Sequence, residues 1–349
     1  MSVDALKKKI KSGKLGGAYL FYGDEEYLKD HYLGQLRRAV ETSPLPEFNH
    51  IVFEEKDMRF SDLGDALETL PTMANFKLIE IREPNFEKMK ADTAERYAAL
   101  LDDLPDYAAI VFLLRGETDG RLFAPGGKTP AAVVAAAVRR NGLVVEFKKE
   151  TESKLYAWID RHFTHRGVTI GKDAVELLVA MCGNDMYILA GEIEKLASYA
   201  SDRPLTAEDV RTVCCANSSY RIFDMSASVT AGDYRKARTI LADLMFSRTP
   251  PELIIATLGK SFCDMLLVRD AQSAGKSPAA MAGALKLQDW QLRRVLPAAS
   301  RAEASFLAYA VRACAETDLR LKSVACEPYA AIETLLVRLR VYGRARKTV

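Results

Sequence analysis

Between Ala18 and Val40 the chain reads as a strand, a turn and a helix. The run Ala18-Tyr-Leu-Phe-Tyr22 is apolar and aromatic, it ends at Gly23, and a long amphipathic stretch follows. In a nucleotide-binding α/β domain this turn carries the phosphate loop, with glycines and a Lys-Ser/Thr pair. Here it carries Asp24, Glu25 and Glu26. Carboxylates at a helix N-terminus satisfy the positive end of the dipole themselves, and they repel a triphosphate. No G-x-x-x-x-G-K-[ST] motif occurs, and the expectation is that no lysine follows the turn glycine to meet a phosphate. The local pattern is that of an ATPase fold without ATPase chemistry.

The flanking sequence supports the fold. Short strand-like runs recur at Ala18–Tyr22, His50–Glu54, Lys77–Ile81, Ala109–Leu114 and Leu143–Phe147. Four are short apolar runs of the buried kind, and His50–Glu54 is the weaker one. Helical patterns fall between them, at Asp24–Val40, Ser61–Leu70, Lys90–Leu101 and Ala131–Arg140. Leu63, Leu67 and Leu70 share a helical face, with Pro71 as the stop. Gly116–Pro130 reads as a surface loop. This alternation predicts a doubly wound, five-stranded parallel sheet over residues 1–147.

After Phe147 the strand patterns stop. Lys148–Ser153 reads as a linker, and residues 148–215 as a small helical domain, with Thr206-Ala-Glu-Asp209 as a capping box. Residues 216–349 read as a second all-α domain. Its long patterns are Asp233–Phe246, Pro251–Ser273, Asp289–Leu296, Arg301–Leu321 and Pro328–Tyr342, and Ser300-Arg-Ala-Glu303 has the spacing of a second capping box.

Catalytic and metal chemistry find little support. The six cysteines form no C-x-x-C pair, and adjacent Cys214 and Cys215 do not easily share one tetrahedral zinc. Reduced, buried thiols are the expectation. His162 and His165 lie three apart on a helix with no further ligand at suitable spacing. The strand that should end in a metal-binding acidic pair reads Ile79-Glu-Ile-Arg-Glu-Pro84, with Arg82 between the carboxylates. Neither cofactor nor metal is expected, nor intrinsic catalysis. The net charge of +2 excludes a polycation but not a local basic patch. Basic residues recur late in the chain, at Arg235, Lys236, Arg238, Arg293, Arg294, Arg320, Lys322, Arg338, Arg340, Arg344, Arg346 and Lys347, interleaved with Tyr234, Trp290 and Tyr342. They are either solvated helix faces or phosphate contacts. No apolar run approaches the roughly 20 residues that span a bilayer, and the N-terminus does not have a signal-peptide pattern.

Leu70-Pro-Thr-Met-Ala-Asn-Phe76 lies between a helix stop and the third strand. Met73 and Phe76 are apolar residues in a segment that should be exposed. Either they fold back as a lid on the sheet or they serve as a plug for a partner's pocket, where a few apolar anchors carry most of the binding energy.

Taken together, Tyr19-Leu-Phe-Tyr-Gly-Asp-Glu-Glu-Tyr-Leu28, Leu67-Glu-Thr-Leu-Pro-Thr-Met73, Gly183-Asn-Asp185 with Glu192-Ile-Glu-Lys-Leu196, and Asp318-Leu-Arg-Leu-Lys322 resemble the delta subunits of bacterial DNA polymerase III, a clamp-loader family. The resemblance covers essentially the whole chain. It implies an AAA+-like first domain, a helical lid and a helical collar for oligomerisation. It implies a non-ATPase that binds the sliding clamp (beta) and helps open it for loading onto primed DNA during replication. It further implies partnership with ATP-hydrolysing gamma/tau subunits and delta prime in a cytoplasmic hetero-oligomer. Its own activity would be counted only within the DNA-directed DNA polymerase holoenzyme. In the family two adjacent apolar residues enter the clamp, and by position these are Thr72 and Met73, with Leu70 and Phe76 as possible assistants. Thr72 departs from the pattern, which has a larger apolar residue there. The alternatives are a degenerate AAA+ nucleotide-binding regulator and a helical scaffold without a clamp role.

Overall fold

The computed structural model describes residues 3–200, 203–285, 287 and 289–345, leaving aside the side chains of Ala279, Asp289 and Trp290. These residues fall into two compact units, Met1–Glu152 and Ser153–Val349.

The first unit is built on five strands: β1 (Gly17–Tyr22), β2 (His50–Glu54), β3 (Lys77–Arg82), β4 (Ala108–Leu113) and β5 (Gly142–Glu146). They lie in the order β2-β3-β4-β1-β5, all parallel. Helices α1 (Val3–Lys11), α2 (Glu26–Glu41), α3 (Pro46–Asn49), α4 (Phe60–Glu68), α5 (Ala91–Asp102) and α6 (Pro130–Asn141) connect them. Alternate strand residues face opposite sides of a sheet. Ala18, Leu20, Ile79, Ile81, Ile110 and Phe112 form one core with Leu63 and Leu67 of α4, Tyr97 and Leu101 of α5, and Val134 and Val138 of α6. Central strand β4 is buried at every residue, as its uninterrupted apolar run requires. Edge strand β2 is partly exposed throughout, which is why its sequence signal is weak.

Three expectations need correction here. Helix α4 ends at Glu68, so Leu70 lies beyond it and is 68% exposed instead of sharing the core face. The Gly116–Pro130 loop contains a 3₁₀ turn, Gly120–Phe123, that drives Phe123 fully into the core. The 148–153 linker is not free either: the Lys149 amide donates to the Asp24 carboxylate, and its ammonium lies 3.3 Å from Glu25.

The second unit is all helical among the described residues: α7 (Glu152–His165), α8 (Lys172–Cys182), α9 (Met186–Tyr199), α10 (Ala207–Val213), α11 (Ser218–Thr230), α12 (Tyr234–Phe246), α13 (Pro251–Ser273), α14 (Pro278–Leu285), α15 (Asp289–Arg301), α16 (Ala304–Ser323) and α17 (Pro328–Ala345). The Thr206–Asp209 capping box is present. The Gly183-Asn-Asp185 turn is likewise a capping device, with the Asp185 carboxylate accepting from the Tyr187 and Ile188 amides. The box expected at Ser300 is absent. Helix α15 continues through Pro297 to Arg301, Ser300 Oγ donates back to the Leu296 carbonyl, and α16 starts after Glu303. The last turn of α15 is held because Arg269 donates to the Ala299 and Ser300 carbonyls. One continuous apolar core runs from Ile222 to Leu339.

Candidate functional site

The turn after β1 is filled from within. Gly23 has φ 109°, and a Cβ there would meet the Phe147 carbonyl oxygen at 2.4 Å, so only glycine fits. Lys29, six residues on, is fully buried and donates to the carbonyls of Gly23 and Leu114 and to Glu26 Oε1, each at 2.7 Å. Glu26 also accepts from the Gly116 amide at 2.7 Å and from Arg115 at 2.8 Å, and Arg115 bridges on to Asp30. Burial alone would raise the Glu26 carboxyl, but the hydrogen bonds from Lys29 and Arg115 outweigh it and hold it below its ordinary value.

This arrangement corrects the expectation that no lysine follows the turn glycine. Gly23 and Lys29 have the separation of the first glycine and the lysine in G-x-x-x-x-G-K, with Leu28 at the second glycine and Asp30 at the Ser/Thr. The six-residue count was available in the sequence, but the missing second glycine hid it. The ammonium that reaches phosphates in a phosphate loop here serves two carbonyls and a carboxylate of its own fold.

Glu80 of β3 is similarly committed. Its carboxylate is fully buried and takes a two-pronged bond from Arg37, at 2.6 and 2.7 Å, and a third contact from His50 at 2.7 Å. Burial would raise its pKa, but Arg37 and His50 prevail and lower it to about 2. It is a structural ion cluster tying α2 to β2 and β3. His162 is half-buried: its ring lies tilted against Trp158 with centroids 4.1 Å apart and bonds the Trp158 carbonyl, and burial lowers its pKa.

Sequence spacing did not anticipate the approach of Cys182, Glu192 and Cys214, whose donor atoms lie within 4.8 Å of one another. These are the side chains nearest to a metal-ligand set among the described residues. Lys195 already lies 2.7 Å from Glu192, and contact with Cys182 together with burial pushes the Cys214 thiol far up, towards the protonated form. With Lys195 on the carboxylate, the three groups form a hydrogen-bonded core cluster.

The Leu70–Phe76 segment is built differently, as a rigid base with exposed apolar tips. Three side chains hold its base. Buried Lys77 donates to the Ala66 and Thr69 carbonyls, and the Tyr107 hydroxyl donates to the Leu67 carbonyl at 2.9 Å. These satisfy the last carbonyls of α4, which otherwise lack partners. Asn49, fully buried at the end of α3, grips the Thr72 backbone from both sides. Its Oδ1 accepts from the Thr72 amide at 2.7 Å and its Nδ2 donates to the Thr72 carbonyl at 2.8 Å. Thr72 and Phe76 are consequently half-buried. Met73 follows with φ 50°, an uncommon conformation for a residue with a Cβ, and its side chain is 71% exposed. Phe48, next to Asn49 in the chain, is exposed as well. The sequence singled out Leu70, Thr72, Met73 and Phe76; it missed Asn49, which reaches the loop only through the tertiary fold.

Of the late basic residues, several are already paired. Arg293 meets Glu176, Arg294 meets Asp224 and stacks on Tyr220 and Phe223, Lys322 meets Asp318, and Arg338 meets Glu316. Arg346 and Lys347, and the Trp290 side chain, lie outside the described residues.

Comparisons with known proteins agree with this architecture. Residues 19–134 match the family model described as DNA polymerase III, delta subunit, and residues 219–339 match that of the DNA polymerase III delta subunit, C-terminal domain. DNA polymerase III subunit delta of Bacillus subtilis is 23% identical over 338 residues, 95% of each chain. A probable DNA polymerase III subunit delta of Aquifex aeolicus is 24% identical over 137 residues, 39% of each chain. Among solved structures, the Bacillus subtilis DNA clamp loader delta protein superposes with a TM-score of 0.59 at 20% identity, over 97% of this chain and 99% of that one.

Proposed function

This chain belongs to the DNA polymerase III delta subunit family, and from that premise we propose that it grips the sliding clamp with the Leu70–Met73 loop and helps open it for loading onto primed DNA. Its setting is the replication clamp loader, among other DNA polymerase III clamp-loader components. The specific neighbours in the proposal are the ATP-hydrolysing gamma/tau subunits and delta prime, in the cytoplasm. No described helix is long and apolar enough to cross a membrane.

One observation carries the clamp reading: two large apolar side chains, Leu70 and Met73, are about 70% exposed on a loop whose backbone is fixed by Asn49. Exposing large apolar groups costs solubility and gains nothing for a free monomer, whereas a fixed loop binds without a large ordering penalty. Thr72, at the family's first anchor position, is half-buried, so in this reading Leu70 shares the anchoring with Met73. Phe76, half-buried, has a supporting role in this reading.

The reading assigns no ATP hydrolysis to the chain, on the ground that Lys29 and Glu26 are spent on each other and on the turn. Within Ser153–Val349 it divides a lid from a collar near residue 215. What supports that division is the separate apolar core from Ile222 to Leu339. A stack of helices of this kind suits association with neighbouring subunits.

Calorimetry with the purified cognate clamp tests the contact. Burying the Met73 side chain is worth about 1.5–3 kcal/mol, so Met73→Ala should weaken binding about ten- to a hundredfold. Thr72→Leu should strengthen it. Wild-type affinity in Met73→Ala, with a large loss in Phe76→Ala, would move the anchor three residues along.

A further inference from the structure

Cys182, Glu192 and Cys214 come from three different helices of the second unit. Cys182 is the last residue of α8, Glu192 lies in the middle of α9, and Cys214 caps the C-terminus of α10, where its amide donates to the Val210 carbonyl. All three are buried, and one donor atom from each lies within 4.8 Å of the other two. A backbone oxygen adjoins them, since the Cys215 carbonyl is 3.8 Å from Cys182 Sγ. Lys195 donates to Glu192 Oε1 at 2.8 Å. Glu192 Oε2 is 2.7 Å from the same ammonium, but it is buried and no donor is well directed at it. A buried carboxylate oxygen short of a donor costs stability, and among the described residues only one other buried side-chain nitrogen or oxygen, Arg139 Nη1, is left in that position.

We propose that these side chains form a structural zinc site, with Cys182 Sγ, Cys214 Sγ and Glu192 Oε2 as ligands and the Cys215 carbonyl or a water as the fourth. Two sulfurs select a soft or borderline cation over magnesium or calcium, and zinc accepts a mixed sulfur and oxygen tetrahedron. At metal–ligand distances of about 2.0–2.3 Å, the ligand atoms of a tetrahedron stand about 3.4–3.8 Å apart. The cluster therefore has to close by at most about 1.4 Å, which small side-chain rotations supply. Each thiol gives its proton to solvent as it ligates, two for each zinc bound. Two thiolates and a carboxylate then carry one negative charge more than the cation neutralises. The Lys195 ammonium on Oε1 supplies the missing positive charge, and its half-exposed side chain is free to follow the closure. The ion ties the ends of α8 and α10 to the face of α9. A cross-link of this kind contributes most in a short run of helices with a small core, and Lys172–Val213 is such a run. The site is separate from the Leu70–Met73 loop and does not depend on the clamp reading.

Titration of the full chain with cobalt(II), after chelator treatment and with the thiols kept reduced by a phosphine, tests this. One equivalent should raise thiolate-to-cobalt charge-transfer bands in the ultraviolet and the visible bands of a tetrahedral site. Zinc should then displace the cobalt, because thiolate ligands favour it, with a zinc Kd below about 1 μM at neutral pH. Cys182→Ser and Cys214→Ser should each remove about half of the charge-transfer intensity. Each should weaken zinc binding about a hundredfold or more, since loss of even an outer partner of a metal ligand costs about ten- to a hundredfold. Glu192→Gln should weaken it at least tenfold, whereas Cys326→Ser, outside the cluster, should bind like wild type. X-ray absorption of the zinc-loaded wild type needs no variant and should show two sulfurs at about 2.3 Å with oxygens at about 2.0–2.2 Å. Zinc should also raise the melting temperature of wild type, and a chelator should reverse the rise. A titration without charge-transfer bands overturns the proposal, as does a zinc shell without sulfur or an equal loss of affinity in Cys326→Ser.

Discussion

Asn49→Ala should release the Leu70–Phe76 loop without touching any residue proposed to contact the clamp. The Asn49 carboxamide makes three bonds to backbone, two to Thr72 and one of 3.0 Å to the Leu45 carbonyl. At about 0.5–1.5 kcal/mol net for each, its removal costs about 1.5–4.5 kcal/mol locally. The Thr72 amide then loses its acceptor, and its hydrogen exchange should accelerate at least tenfold. Asn49→Asp keeps an acceptor for that amide but loses the donor, and should fall between. The functional effect follows from entropy. If residues 72 and 73 are freed, clamp binding must order them again at about 1–2 kcal/mol each, so affinity should drop about tenfold or more. Hydrogen exchange by mass spectrometry and clamp calorimetry on the same samples check both parts. Slow Thr72 exchange in Asn49→Ala would refute the account of the loop's rigidity, and rapid exchange with unchanged clamp affinity would refute the claim that rigidity matters.

Lys29→Met should lower stability by about 2–4 kcal/mol, since it strands two buried carbonyls and the Glu26 carboxylate; urea denaturation measures it. Glu80 has its folded pKa lowered to about 2, below the ordinary glutamate value near 4.3. Its stabilisation, about 3 kcal/mol, is therefore present above pH 4.5 and is lost as the pH falls through 2. Glu80→Gln should be less stable at pH 7 and show a shallower loss over that window, read by denaturation at a series of pH values. The isolated chain should show no single-turnover ATP hydrolysis above a blank. Truncation after residue 215 should abolish assembly with the other loader subunits while clamp binding persists, as size-exclusion chromatography would reveal.

The sheet was legible because buried parallel strands are dominated by apolar residues, as in β1, β4 and β5, while β3 keeps Leu78, Ile79 and Ile81 around a Glu80 that only the tertiary fold pairs. The Leu70 error arose from periodicity that continues past the helix: Leu63, Leu67 and Leu70 share a face only while the helix lasts, and Lys77 and Tyr107 cap it first. Both side chains lie beyond the helix in the chain, so local sequence, whose only stop signal is Pro71, places the end two residues late. The false capping box at Ser300 has a related cause, since Pro297 reads as a helix end while Arg269, on α13, holds the last turn of α15. The acidic turn was legible as a departure from a phosphate loop, but the inward direction of the Lys29 ammonium was not. Asn49 was invisible because it lies 23 residues from the backbone it grips.

The affinity of the purified chain for its cognate sliding clamp, measured for wild type and for Leu70→Ala/Met73→Ala, bears on the central claim most directly. The account predicts stable binding by wild type and a loss of about a hundredfold or more in the double variant, with helicity unchanged because both side chains lie outside the core. Equal affinity of the two proteins, or no binding by wild type, would contradict it.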